Sequence, residues 1–296
     1  MNHYDIVFIG QLGIGTIVPF RGSPFTEPGG PALFSSIGAS CVGKRIATVT
    51  KISGGEECLL EPMKTAGIGL FVQPGEIVQY RVVFPTASID QRQGCHIKGG
   101  GDFDLSDIPP FEPCIIHLCC MGVRDLRLDP MRALKTRGFR LSVGMQSFMA
   151  RVDDQTGSFH FTDVPEKKDI LSMADFVKLD AVEAHILTGA DFPQKQADIL
   201  EDWGSSETII TSSEGALSRS KGITAYAKFT NRRTRGRMGR GDTLMGAYLA
   251  RRLDHSVEDS LRFAVALTSI KLESPGPFKG SLDDVFARMD APNRNL

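Results

Sequence analysis

The stretch from Gly236 to Leu253, GRMGRGDTLMGAYLARRL, decides how this chain is read. It gathers glycines and arginines around one aspartate at the mouth of an apolar helix. Gly239 and Gly241 allow backbone conformations that a Cβ would obstruct. They sit where the unbonded N–H groups of a helix start point outward, and with the helix dipole those groups make a cradle for phosphate oxygens. Arg232, Arg233, Arg235, Arg237 and Arg240 crowd the same approach and suit planar recognition of phosphate. Asp242 would repel such an anion unless its task is to take a proton from an alcohol while the neighbouring N–H groups stabilise the group being transferred. As a helix-start carboxylate beside a solvated basic loop it would be an ordinary cap. Spacing alone leaves both readings open.

Outward from that loop, the chain reads as globular. Of its 296 residues 41% are apolar and 23% charged, and the formal net charge of -1 supplies no global field for nucleic acid or an anionic membrane. No nucleic-acid or membrane partner is expected, and any anion site must be local. The basic run NRRTRGR (231–237) lacks interleaved aromatic residues for base stacking and reads as a solvated loop. The amino-terminal stretch lacks a basic leader, and no apolar run reaches the roughly 18 residues of a membrane span. The six cysteines show no CxxC pair, which fits a reducing cytoplasm. Cys119 and Cys120, after His117, read as part of a buried strand, because adjacent strand side chains face opposite ways and chelate one ion poorly.

Short apolar runs alternate with helical patterns: YDIVFIG, GPALFSSIGASCVG, RIATVT, GEECLLEPMKTAG and GLFVQ give β-α-β-α-β, and PCIIHLCC, DPMRALKTRG, FRLSVG, KKDILSMA, DFVKL, AVEAHILTG, QKQADILEDWG and ETIITS resume it. An α/β fold with a central, mostly parallel sheet and helices on both faces is expected, as one domain over residues 1–296. Residues 72–101 break the rhythm with strand-like segments of mixed polarity, the mark of a small sheet exposed on one face. The carboxy-terminal part is helical, with Ser256 and Ser281 as helix starts.

With these residues in place, MGRGDTLMGAYL (238–249) resembles the carboxy-terminal signature of the ribokinase (phosphofructokinase-B) family of small-molecule kinases, Thr-Gly-Ala-Gly-Asp before a small, apolar helix. PGGPALFSSIGASCVG (28–43) resembles its Gly-Gly segment, and DFVKLDAVEAHILTG (175–189) its Asn-x-x-Glu segment. ETIITSSEGAL (207–217) resembles the strand-turn-strand before the nucleotide-binding region. The matches fall in family order over nearly the whole chain. The resemblance implies a three-layer α/β/α sandwich with a small β lid, formed by parts of about 11–25 and 72–101. It also implies transfer of the ATP γ-phosphate to an alcohol of a sugar, polyol or related metabolite with Mg²⁺. Asp242 would be the base, Gly239, Arg240 and Gly241 the anion hole, and Glu183 an organiser of Mg²⁺ through water. ATP would lie against Thr211, Ser213, Gly215 and Gly276. Gly15, Gly29, Gly30, Phe34, Arg92 and Gln146 would border the acceptor, and the lid would pair two subunits, as in several relatives, into a homodimer.

The departures matter as much. The family's sugar-binding aspartate falls at Gly15, an asparagine at Phe34, and the aspartate of a related subgroup at Gly144; Asp180 replaces the Asn of Asn-x-x-Glu, and Arg240 the usual alanine. Fewer hydrogen bonds to a polyhydroxylated ring point to a bulkier or less hydroxylated alcohol, one whose anionic group Arg240 or Arg237 could meet. By themselves Glu183 reads as an exposed helix charge, and Gln91, Arg92 and Gln146 as surface residues. A regulator that binds nucleotide or metabolite on the same fold, with weak or no turnover, is the alternative. A dinucleotide oxidoreductase starting at GQLGIG (10–15) is disfavoured because the following TIVPF is strand-like and offers pyrophosphate no helix terminus.

Overall fold

The computed structural model describes residues 2–89, 91–101, 103, 108–120, 128–153 and 155–290. Its plan is visible in β1 (Ile6–Ile9), whose four residues are all fully buried, Ile6 and Phe8 in one core and Val7 and Ile9 in another. A strand covered on both faces needs an unbroken apolar run. β1 lies within a nine-stranded sheet. On one side it pairs in parallel with β4 (Ile46–Ile52), then β5 (Gly69–Pro74). On the other come β8 (Ile115–Leu118), β9 (Arg140–Gly144), β12 (Phe176–Asp180) and β13 (Glu207–Thr211), all parallel, and then antiparallel β14 (Gly215–Ser220) and β15 (Ile223–Lys228).

The first core is closed by α1 (Pro31–Ser40), α2 (Glu61–Thr65), α8 (Arg240–Arg252), α9 (Val257–Leu272) and α10 (Leu282–Asp290); the second by α3 (Leu128–Thr136), α5 (Lys167–Met173), α6 (Ala181–Thr188) and α7 (Pro193–Asp202). This is the three-layer α/β/α sandwich expected from the alternation of short apolar runs and helices. The Ser256 and Ser281 hydroxyls accept the N–H groups of Asp259 and Asp284, so both carboxy-terminal helix starts stand where the sequence places them.

A second, six-stranded sheet covers one rim of the first. Its order is β10 (Ala150–Val152), β11 (Ser158–Phe161), β7 (Gln93–Gly100), β6 (Glu76–Val83), β2 (Gly13–Val18) and β3 (Phe25–Gly29). The segments near 11–25 and 72–101 supply its centre. Residues 150–161, which follow the short α4 (Gln146–Met149), add two strands that their sequence does not announce, because three- and four-residue strands carry too little alternation to read. Among the described residues, no helix is long and apolar enough to cross a membrane, and all six cysteines are free thiols.

Candidate active site

Because β1, β8, β9, β12 and β13 run parallel, their carboxyl ends share one rim, where such sheets offer a crevice. A cavity of about 380 Å³ lies there, between the rim and the smaller sheet. Gly239 opens α8 beside it in the left-handed conformation, φ 72° and ψ 15°, with no side chain capping the helix. A Cβ on Gly239 would also fall 2.1 Å from Cγ of Phe34, so conformation and space both require glycine. Asp242, half-buried in the first turn, borders the cavity with Gly239, Arg240 and Gly241. The loop before the helix is tied down from behind. Lys271 Nζ, on α9, donates to the carbonyls of Gly236, at 2.5 Å, and of Met238. Burial lowers that ammonium to about 7.

Gly241 leaves room for a residue that the motifs do not point to. A Cβ on Gly241 would lie 2.5 Å from Cε and 2.7 Å from Nζ of Lys178, a side chain only 5% exposed that reaches the cavity from β12. Lys178 is paired in register with Gly144 of β9 and stands two residues before Asp180, on the same side of the strand. A lysine inside an otherwise apolar strand was the available signal, since such a charge is buried only where something needs it.

Asp180 ends that strand and starts α6. Its Oδ1 accepts the N–H groups of Val182 (3.0 Å) and Glu183 (2.9 Å), while Glu183 Oε2 accepts the N–H of Asp180 (2.8 Å), a reciprocal cap. Asp180 Oδ2 accepts from Arg92, 3.1 Å away, which reaches over from beside β7. Burial by itself would raise the Asp180 carboxyl, but the charges of Arg92 and Lys178 and the N–H of Glu183 outweigh it and hold it at about 2. An asparagine here could cap the helix but could not answer Arg92.

Glu183 is fully buried, not the exposed helix charge that its position alone suggests. Burial, and then the neighbouring Asp180 carboxylate, push it up to about 7. Its Oε1 has no hydrogen-bond partner among the described residues. Asp180 borders the cavity and Glu183 lies behind it. Among the described residues no group of three or more His, Cys, Asp or Glu side chains could cage a metal. Of the two carboxylates only Asp180 reaches the cavity; a Mg²⁺ that kept its waters would need no more than such a carboxylate beside the donor phosphates.

Of the other expected site residues, Gly30, Phe34, Arg92, Gln146 and Thr211 border the cavity. Arg92 and Gln146 are thus not mere surface residues, whereas Gln91 is exposed and accepts from Thr86. Arg240 is 2% exposed; its guanidinium carbon stands 5.9 Å from the centre of the Phe229 ring. Ser213 is exposed on the turn between β13 and β14. Gly215 is closed off by the Ala227 carbonyl, 2.2 Å from where its Cβ would be. Gly276 donates its N–H to Glu27 Oε2 on β3 at 2.8 Å. Gly15 and Gly29 do not face the cavity, because the ring of Tyr80 stands in front of both: their Cβ positions would lie 2.5 Å from Tyr80 Cε2 and 2.3 Å from its hydroxyl.

No protein-family model matches the chain. Among curated proteins it is 25% identical over 235 residues to a cytidine kinase of Thermococcus kodakarensis, covering 75% of this chain and 76% of that one. Among solved structures it superposes with a TM-score of 0.86, at 23% identity, on a pyrophosphate-dependent kinase in the ribokinase family complexed with a pyrophosphate analog and myo-inositol, covering 95% of this chain and 99% of that one. With Arabidopsis thaliana ribokinase, complexed with ribose and ATP, the TM-score is 0.73 at 15% identity, over 98% and 100% of the two chains. The chain has the fold of the ribokinase family, as its motifs imply, and what it resembles in sequence and in structure are small-molecule kinases.

Proposed function

We propose that the protein transfers a terminal phosphoryl group from a phosphoanhydride donor to an alcohol of a small molecule. The observation that carries this reading is the uncapped start of α8 opening on the cavity with Asp242 in its first turn and Lys178 against Gly241. The acceptor hydroxyl gives its proton to Asp242 as its oxygen bonds to phosphorus, and the bond from phosphorus to the bridging oxygen breaks. The N–H groups of Gly239 and Gly241 would face the charge that develops on the transferred group, with Lys178 as a fixed cation beside them, while the Arg240 N–H turns back to the Arg237 carbonyl at 3.4 Å. Arg92, held to Asp180, ties the smaller sheet over the cavity as a lid on the one catalytic unit. Mg²⁺, held through water by Asp180, would neutralise donor phosphates.

ATP is the donor that the family resemblance implies, seated on Thr211, Ser213, Gly215 and Gly276. A second reading, a pyrophosphate donor, is favoured by one observation. Thr211 borders the cavity, but Ser213 is exposed, Gly215 is closed off and Gly276 is bonded to Glu27, so contacts for a nucleoside are sparse. The relative solved with a pyrophosphate analog lends that reading weight. Purified protein given Mg²⁺, an alcohol panel and either ATP or pyrophosphate tests both. Acceptor-dependent consumption of one donor, abolished by chelating the metal, is the expected result. Donor binding with no consumption on any acceptor would favour a regulator instead. Free thiols at all six cysteines support a cytoplasmic location. Exposed Ile97 and Phe20 on the smaller sheet and its β2–β3 turn support a homodimer through the lid, which sedimentation showing only monomer would refute.

A further inference from the structure

Three features that look separate in the sequence form one construction in space. Gly15 of β2 is paired in register with Tyr80 of β6, and a Cβ at Gly15 would fall within 2.5 Å of the Tyr80 ring. A Cβ at Gly29 would fall 2.3 Å from the Tyr80 hydroxyl and 3.4 Å from Phe34 Cε2, while Phe34 itself lies flat against Gly239 at the start of α8. The two glycines thus clear space for two aromatic rings, and the rings meet the helix that carries Asp242. Tyr80 is 6% exposed, and its hydroxyl stands within the electrostatic reach of Glu27 and Asp242, which together with burial push it upward. Val78 and Val82 flank Tyr80 on the same face of β6, and Phe159 and Phe161 of β11 also line the cavity. A carboxylate at position 15 could not coexist with this ring.

We propose that Tyr80, with Phe34 beside it, determines which alcohol the site accepts. The aromatic wall takes an alcohol that presents a flat ring face, and the phenol makes one hydrogen bond to it. A ring bearing hydroxyls all round would leave several of them desolvated and unpaired against carbon, which is how a pocket rejects a polar analogue. The proposal rests on the kinase reading above and names the chemistry of its acceptor.

The test compares wild type, Tyr80→Phe and the double variant Tyr80→Ala with Gly15→Asp on cytidine, ribose and myo-inositol. Binding is read by calorimetry, and KM and kcat are read with saturating donor. Wild type is expected to bind cytidine at least about tenfold more tightly than either polyol, one such hydrogen bond and ring contact being worth about that factor. Tyr80→Phe, which keeps the ring, is expected to raise KM for cytidine about 5- to 10-fold with kcat within twofold. The double variant is expected to shift the preference toward the polyols. Preference of wild type for ribose or myo-inositol, binding of none of the three, or an unchanged profile in both variants overturns the proposal. Binding of cytidine without turnover breaks the kinase reading while leaving this assignment standing, so the two failures are distinguishable.

Discussion

The two ends of the cavity are built by opposite means. At one end, four consecutive residues, Gly239 to Asp242, supply a left-handed turn, a helix start and a carboxylate, an arrangement set mostly by local backbone. At the other end, the wall is made of side chains from β6, α1 and β11, brought together across long stretches of chain. Backbone chemistry is indifferent to most side chains, so the first end keeps its family pattern apart from Arg240. The second can be rebuilt by a few substitutions, which is where Gly15 and Phe34 depart.

That contrast can be broken, and the largest expected effect is at Asp242. Asp242→Asn keeps the shape and removes the proton acceptor, so turnover should fall by roughly 10²–10⁴ with the melting curve unchanged; wild-type-like turnover would end the assignment. Lys178→Met removes the cation under Gly241, and kcat/KM should fall by roughly 10²-fold. A merely structural lysine would instead show its loss in the melting temperature alone. Gly239→Ala forces a methyl into the Phe34 ring at a positive φ, and a stability loss of about 2–4 kcal/mol is expected in denaturant titration. Arg92→Ala cuts the link between the smaller sheet and Asp180. Since Arg92 is partly solvated, stability should change by less than about 1 kcal/mol. Its loss should appear as a KM raised about tenfold, one charged hydrogen bond's worth.

The smallest effect concerns pH and sharpens the picture of the Asp180–Glu183 pair. Glu183 is raised from the ordinary 4.5 to about 7, so between those values the folded chain holds a proton that the unfolded chain has lost. Stability from this group is therefore present below about 4.5 and lost as pH rises through about 7. Glu183→Gln should remove that slope, its advantage over the parent growing across the same window and flat above it. Parallel stability curves for the two proteins would show that Glu183 is charged throughout.

The sequence by itself determined the fold class, most of the order of elements and the helix start that carries Asp242. These rest on local chemistry: unbroken apolar runs for strands buried on both faces, glycine where a turn needs positive φ, and hydroxyls at Ser256 and Ser281 where helices begin. The tertiary structure decided the rest. Lys178 became part of the site only when β12 was set beside Gly144 and α8 beside β12. Glu183, whose cap on Asp180 is local, became buried only when α6 packed into the fold. Gly15 and Gly29, which look like missing contacts in the chain, became room for Tyr80 only once β2, β3 and β6 were paired. Which side chain fills a space that a glycine leaves is a matter of register between strands far apart in the chain, and no local pattern carries it.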